Sequence, residues 1–259
     1  MKFASLPRSA LVLALAGALA LVLTGCGTAV KNTALTQGNW AFSASSNAPP
    51  QIPDPTFVVG GNLTQSGSEL TGTMYVSQSG CIAPQTVIFT GAVKDKTVTL
   101  TSQNFGGQVI SVTASGTKDS LSGTYTVTGQ CADAGTVTAS AVPSISGTWS
   151  GTVLVNTSPA TMSVVLTQAS TASADGTFAL TGSVTYIGSD CSATASLLPS
   201  AITGGRVAIN TDSGNGGGIS YIASLDSITS PKSTTGDYDS SSDPCASSDG
   251  IQTVTLTKQ

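Results

Sequence analysis

Few side chains in this sequence can do chemistry. The chain has no histidine and one glutamate, Glu69; every other acidic residue is an aspartate. Without an imidazole, neither a Ser-His-Asp nor a Cys-His arrangement exists. Asp54, Asp95, Asp119 and Asp175 sit singly in turn-like contexts, where aspartate bonds to nearby backbone rather than serving as a general acid. The densest acidic stretch is Asp237-Tyr238-Asp239, with Asp243 and Asp249 nearby. Alternate carboxylates can ligate calcium, but the glycine and glutamate of an EF-hand loop do not accompany them, and the stretch reads as a solvated Ser/Asp loop. Gly214-Asn215-Gly216-Gly217-Gly218 lacks the Lys-Ser/Thr and following helix of a phosphate cradle and reads as a hairpin loop. Lys94 and Arg206 fall in corresponding turns and read as solvating charges. No catalytic residue, metal site or cofactor is expected, and the function expected is non-enzymatic.

Cysteine is the remaining reactive type, at Cys26, Cys81, Cys131, Cys191 and Cys245. An internal repeat orders the last four. Gly38-Asn39-Trp40 returns as Gly147-Thr148-Trp149, and Leu63-Thr64-Gln65 as Leu166-Thr167-Gln168. Leu70-Thr71-Gly72 returns as Leu180-Thr181-Gly182, and Cys81 as Cys191. Gly123-Thr124-Tyr125 returns as Gly236-Asp237-Tyr238, and Cys131-Ala132 as Cys245-Ala246. Six matches in one order mark two tandem copies of one domain, expected at residues 37–142 and 143–259. Each copy holds one early and one late cysteine, so the simplest pairing is Cys81–Cys131 and Cys191–Cys245. Zinc would call for close Cys-x-x-Cys spacing or histidine, and neither is present.

The first cysteine has a different setting. Lys2 and Arg8 precede Ala10–Leu23, which carries no charge and is short for a spanning helix. Leu23-Thr24-Gly25-Cys26 then resembles the bacterial lipobox. That resemblance implies a signal peptide at residues 1–25, diacylglycerol on the Cys26 sulfur and an N-acyl chain such as palmitate. It also implies residence in the bacterial cell envelope, anchored to the membrane through Cys26; Gly27 favours the outer membrane if the cell is Gram-negative. Residues 26–36 are expected to be a tether.

Composition narrows the rest. Losing Lys2 and Arg8 would leave seven basic and thirteen acidic residues, a net charge of −6. No basic patch exists to grip phosphate backbones, so nucleic acid is not an expected partner. Hydrophobic residues make up 39% and charged residues 8%, the reverse of a disordered chain. Apolar residues alternate with Ser/Thr at Thr97–Thr101, Val109–Ala114, Thr124–Thr128, Thr136–Ser140 and Thr253–Thr257, one face for a core. Gly60-Gly61, Ser66-Gly67, Asp95-Lys96, Gly106-Gly107, Asp175-Gly176 and Gly204-Gly205 read as turns between strands. The prolines of Ala44–Pro55 mark a loop, and Ala141–Ser146 a linker between copies. The expected class is all-β.

The order Gly-x-Trp on a first strand, then Leu-Thr-Gly-type hairpins, resembles the small up-and-down barrels of the lipocalin and avidin kind. Trp40 and Trp149 match the family tryptophan, which packs near the closed end of the barrel. The closing arginine of lipocalins and the ligand-binding aromatics of avidins have no match. The resemblance implies two tandem antiparallel barrels, with immunoglobulin-like sandwiches as the alternative. Two roles follow: binding a small apolar ligand or glycan inside or between the barrels, or presenting β domains as structural or adhesive modules at the cell surface.

Overall fold

The computed structural model describes residues 33–48, 57–77, 79–155, 158–188, 192–212, 218–240 and 250–259. Cys26, Cys191, Cys245 and the signal segment lie outside the described residues, as do Asp54, Asp243 and Asp249. The described residues contain strands and no helix.

Eight strands form the first ring: β1 (Gly38–Ser46), β2 (Val58–Ser66), β3 (Glu69–Ser77), β4 (Gln85–Lys94), β5 (Thr97–Ser102), β6 (Val109–Gly116), β7 (Ser120–Thr128) and β8 (Asp133–Ala141). Neighbours in sequence pair antiparallel, and β8 returns to pair with β1, from Trp40 opposite Ala141 to Ser46 opposite Gly135. The second ring contains β9 (Gly147–Val155), β10 (Ser158–Gln168), β11 (Phe178–Ile187), β12 (Ser192–Ser196), β13 (Ser200–Thr203), β14 (Arg206–Asp212), β15 (Gly218–Leu225), β16 (Ser233–Asp239) and β17 (Gln252–Lys258). Here β17 closes on β9. Two closed barrels replace the sandwich alternative, because in each the last strand pairs with the first and closes the ring.

The second ring also has eight staves. Both β12 and β13 pair with β11, one along Ser183–Ile187 and the other along Phe178–Leu180. Together they do the work of β4. The break falls at Pro199, which has no N–H to give to a ladder.

Period-two patterning sends alternate side chains inward. In β5, Val98 and Leu100 are buried while Thr97, Thr99 and Thr101 face out. Each barrel has its own apolar core, and each core takes in the chain that enters it. Leu35 is buried in the first, its N–H donating to Gln65 Oε1 at 2.8 Å. Ile145 is buried in the second, its N–H donating to Gln168 Oε1 at 3.0 Å. The indole N–H of Trp40 donates to Thr36 O, and that of Trp149 to Ile145 O. The repeated glutamine and tryptophan thus fasten the entering chain to each barrel.

This docking corrects two readings. The expected tether, residues 26–36, does not stay loose to its end: Thr33 and Thr36 donate backbone bonds to Asp95 O and Lys118 O, and Leu35 gains an apolar site. The expected linker at 141–146 is packed too, with Val142 and Ile145 buried against the second core. The proline-rich loop starts later than its composition suggests, since Ala44–Ser46 belongs to β1. Gly60-Gly61 is no turn; both residues lie inside β2, opposite Ala41 and Trp40.

Candidate functional site

Asn32–Gln259 forms one compact unit, so the barrels are packed against each other. The seam is built from small residues. Asn39, in the variable position of the first Gly-x-Trp, donates from Nδ2 to Gly204 O at 3.0 Å and accepts from Gly204 N–H at 2.7 Å. Its amide therefore pairs with a backbone unit of the other barrel as a neighbouring strand would, and both groups are buried. Gly204 holds φ +56° in the β13–β14 hairpin, where the first barrel's β4–β5 hairpin places Asp95 at φ 58°. Aspartate tolerates this left-handed conformation there, but Gly204 has a second constraint. A Cβ on Gly60 would lie 2.6 Å from Gly204 Cα, and one on Gly204 would lie 2.8 Å from Gly60 Cα. Backbone meets backbone, and no side chain fits between.

A cleft of about 750 Å³ opens beside this contact. On the first barrel one lining row is Tyr75, Gly60, Ala41 and Ser140, side by side across β3, β2, β1 and β8. The next row, Ser77, Val58, Ser43 and Thr138, forms one wall of the cleft. The facing wall belongs to the second barrel. Arg206, Ser224 and Thr235 make one row across β14, β15 and β16; Ile222 and Asp237 lie in the next. Ile228, from the loop after β15, completes the apolar lining. The volume falls in the range usual for small-molecule sites. Ile222 remains 44% exposed, an uncovered apolar surface in an otherwise hydroxyl-rich wall.

The interior of the first barrel offers less room. The space inside the first barrel measures about 10 Å³, walled by Phe42, Phe57, Met74, Phe89, Leu100 and Ile110 among others. That volume admits about one water. Eight strands give an interior just wide enough for side chains to fill, and large residues fill this one. In the second barrel Trp149, Met162, Tyr186, Tyr221 and Tyr238 are fully buried. The Tyr221 hydroxyl donates to Thr234 O and also lies 3.2 Å from Val254 O; burial pushes its pKa up to about 12. It is a core group held neutral. Compared with the interior of the first barrel, the cleft between barrels has the room.

Cys81 and Cys131 form a disulfide with Cα atoms 5.8 Å apart, joining the β3–β4 loop to the β7–β8 turn. Cys191 and Cys245 occupy the matching places in the sequence, after β11 and after β16. The aspartates expected in turns behave as such where described. Asp175 accepts from Ser173 and Thr177 within its own hairpin, and the Ser173 hydroxyl holds its carboxyl below the usual range. Asp119 accepts from Thr36 and lies 3.8 Å from Lys118. Asp237 faces outward into the cleft. Among the described residues no three His, Cys, Asp or Glu side chains gather to hold a metal ion.

Arg206 is exposed, as a solvating charge would be, and it has a neighbour the sequence did not announce. Its guanidinium carbon sits 5.9 Å from the centre of the Tyr75 ring, on the opposite barrel. The hairpin that carries it is the one locked to Asn39, so the turn holds its exposed charge beside the seam. Asn39 was missed altogether, although an amide in a strand motif that carries threonine in the other copy was a usable signal.

No protein-family model matches the sequence, and no curated protein matches it. Among solved structures, the chain is similar to kievitone hydratase from Nectria haematococca, with 10% identity and a TM-score of 0.28 over 90% of this chain and 92% of that one.

Proposed function

We propose that this chain is a lipid-anchored protein of the bacterial envelope, non-enzymatic in type, that binds a small ligand with an apolar body or a glycan in the cleft between its barrels. One observation carries the ligand reading: the cleft offers about 750 Å³ where the first barrel's interior offers about 10 Å³. Ile222, Ile228 and Val58 supply apolar surface, Tyr75 a ring face, and seven serines and threonines hydrogen-bonding edges. The non-enzymatic reading rests on the same wall. Its only charged side chains, Arg206 and Asp237, stand two strands apart, about 10 Å at usual strand spacing. The anchor reading rests on Leu23-Thr24-Gly25-Cys26 and the uncharged run before it.

Binding is checked with N-phenyl-1-naphthylamine, a neutral apolar fluorophore, on the lipid-free Cys26→Ser chain. One probe per chain is expected, and Ile222→Arg should weaken it about tenfold or more by placing a charge in the apolar floor. Binding that is absent, or indifferent to Ile222→Arg, would leave the cleft without a ligand and favour a structural module. The anchor has its own test. Cys26→Ser should move the protein out of the membrane fraction and abolish the mass of the acyl chains; unchanged fractionation and mass would refute lipidation.

A further inference from the structure

We infer that the ligand of the cleft is an amphipathic monoanion, with a carboxylate, sulfonate or phosphate seated on Arg206 and an apolar body laid over Ile222. The inference rests on the cleft being a ligand site, and it adds the charge of the ligand and its direction in the cleft.

Arg206 is the only cation lining the cleft, and among the described residues it makes no ion pair. Its guanidinium carbon lies 5.9 Å from the centre of the Tyr75 ring, and the planar fork of N–H donors on a guanidinium matches a carboxylate or phosphate. Beside it in the same row lie Ser224 and Thr235. The Thr235 hydroxyl is already oriented by a 2.8 Å contact with Thr255. One row further stand Ile222 and Asp237. A ligand spanning the wall therefore meets cation and hydroxyls first, then apolar surface, with a carboxylate beyond it that repels a second negative charge.

The protein's overall negative charge does not cancel this local preference. At physiological ionic strength charges more than about 8 Å apart are largely screened, and Asp237 is rooted two strands and one outward row away from Arg206. An anion touching the guanidinium feels Arg206 first.

A bare cross-barrel clamp would have no reason to distinguish ligands by charge. Two fluorophores with the same ring system separate the cases: 1-anilinonaphthalene-8-sulfonate, an anion, and N-phenyl-1-naphthylamine, which lacks the sulfonate. The Cys26→Ser chain should bind the sulfonate more tightly. Arg206→Gln should weaken the sulfonate about tenfold and leave the neutral probe within about twofold, as expected from losing one charge-assisted hydrogen bond. Arg206→Lys should restore most of the difference. Equal weakening of both probes by Arg206→Gln would show a clamp and overturn the inference. So would a sulfonate indifferent to Arg206 while the neutral probe still depends on Ile222, which would leave the cleft reading standing. If neither probe binds, both readings fall together.

Discussion

Gly60→Val is expected to break the union of the two barrels while leaving each ring closed. Its Cβ would start 2.6 Å from Gly204 Cα and 3.0 Å from Thr203 O, and neither backbone has a rotamer with which to yield. The hairpin must back away, which takes Gly204 out of reach of Asn39. Overpacking costs roughly 1–3 kcal/mol, and each buried polar group left unpaired about the same again. A loss of about 3–5 kcal/mol follows. Denaturant unfolding should then begin at a lower denaturant concentration than in the parent, and the neutral probe should no longer bind. A single transition with unchanged midpoint would mean the barrels do not depend on this contact.

Removing the bridge should act on one barrel alone. Cys81 and Cys131 close a loop of 50 residues, and cross-linking such a loop stabilises by about 4 kcal/mol in the chain-entropy account. Domains of this size have total stabilities of about 5–15 kcal/mol, so the double substitution Cys81→Ser/Cys131→Ser should bring the first barrel close to its threshold. The second barrel should keep its own melting behaviour. Hydrogen exchange resolved by segment distinguishes them: protection should fall across β1–β8 and hold across β9–β17. Uniform loss in both would show that the cores unfold as one.

The barrels were legible in the sequence because their signals are local. Thr97–Thr101 and Thr253–Thr257 alternate cleanly, and both became strands with apolar residues inward. The glutamines of the two Leu-Thr-Gln segments were visible as a repeat before their purpose was. They cap the N–H of Leu35 and of Ile145, contacts about 30 and 23 residues away in sequence that no local pattern announces. The cleft could not be read in advance. Its walls are outward rows of serine, threonine and small residues, indistinguishable from ordinary barrel surface until a second barrel stands opposite. Gly60-Gly61 misled for the same reason. Glycine in a strand signals either a turn or a close approach, and the approaching backbone comes from 144 positions later. Arg206 gained its meaning from Tyr75 across the seam, a pairing that depends on how Asn39 holds the hairpin.

The claim that the ligand lies between the barrels is tested most directly by mapping backbone amide chemical shifts during titration with N-phenyl-1-naphthylamine. The largest shifts are expected at Ser43, Tyr75, Ile222 and Thr235, on the two facing walls. Largest shifts at Met74, Ile110 and Val112, which line the space inside the first barrel, would contradict it.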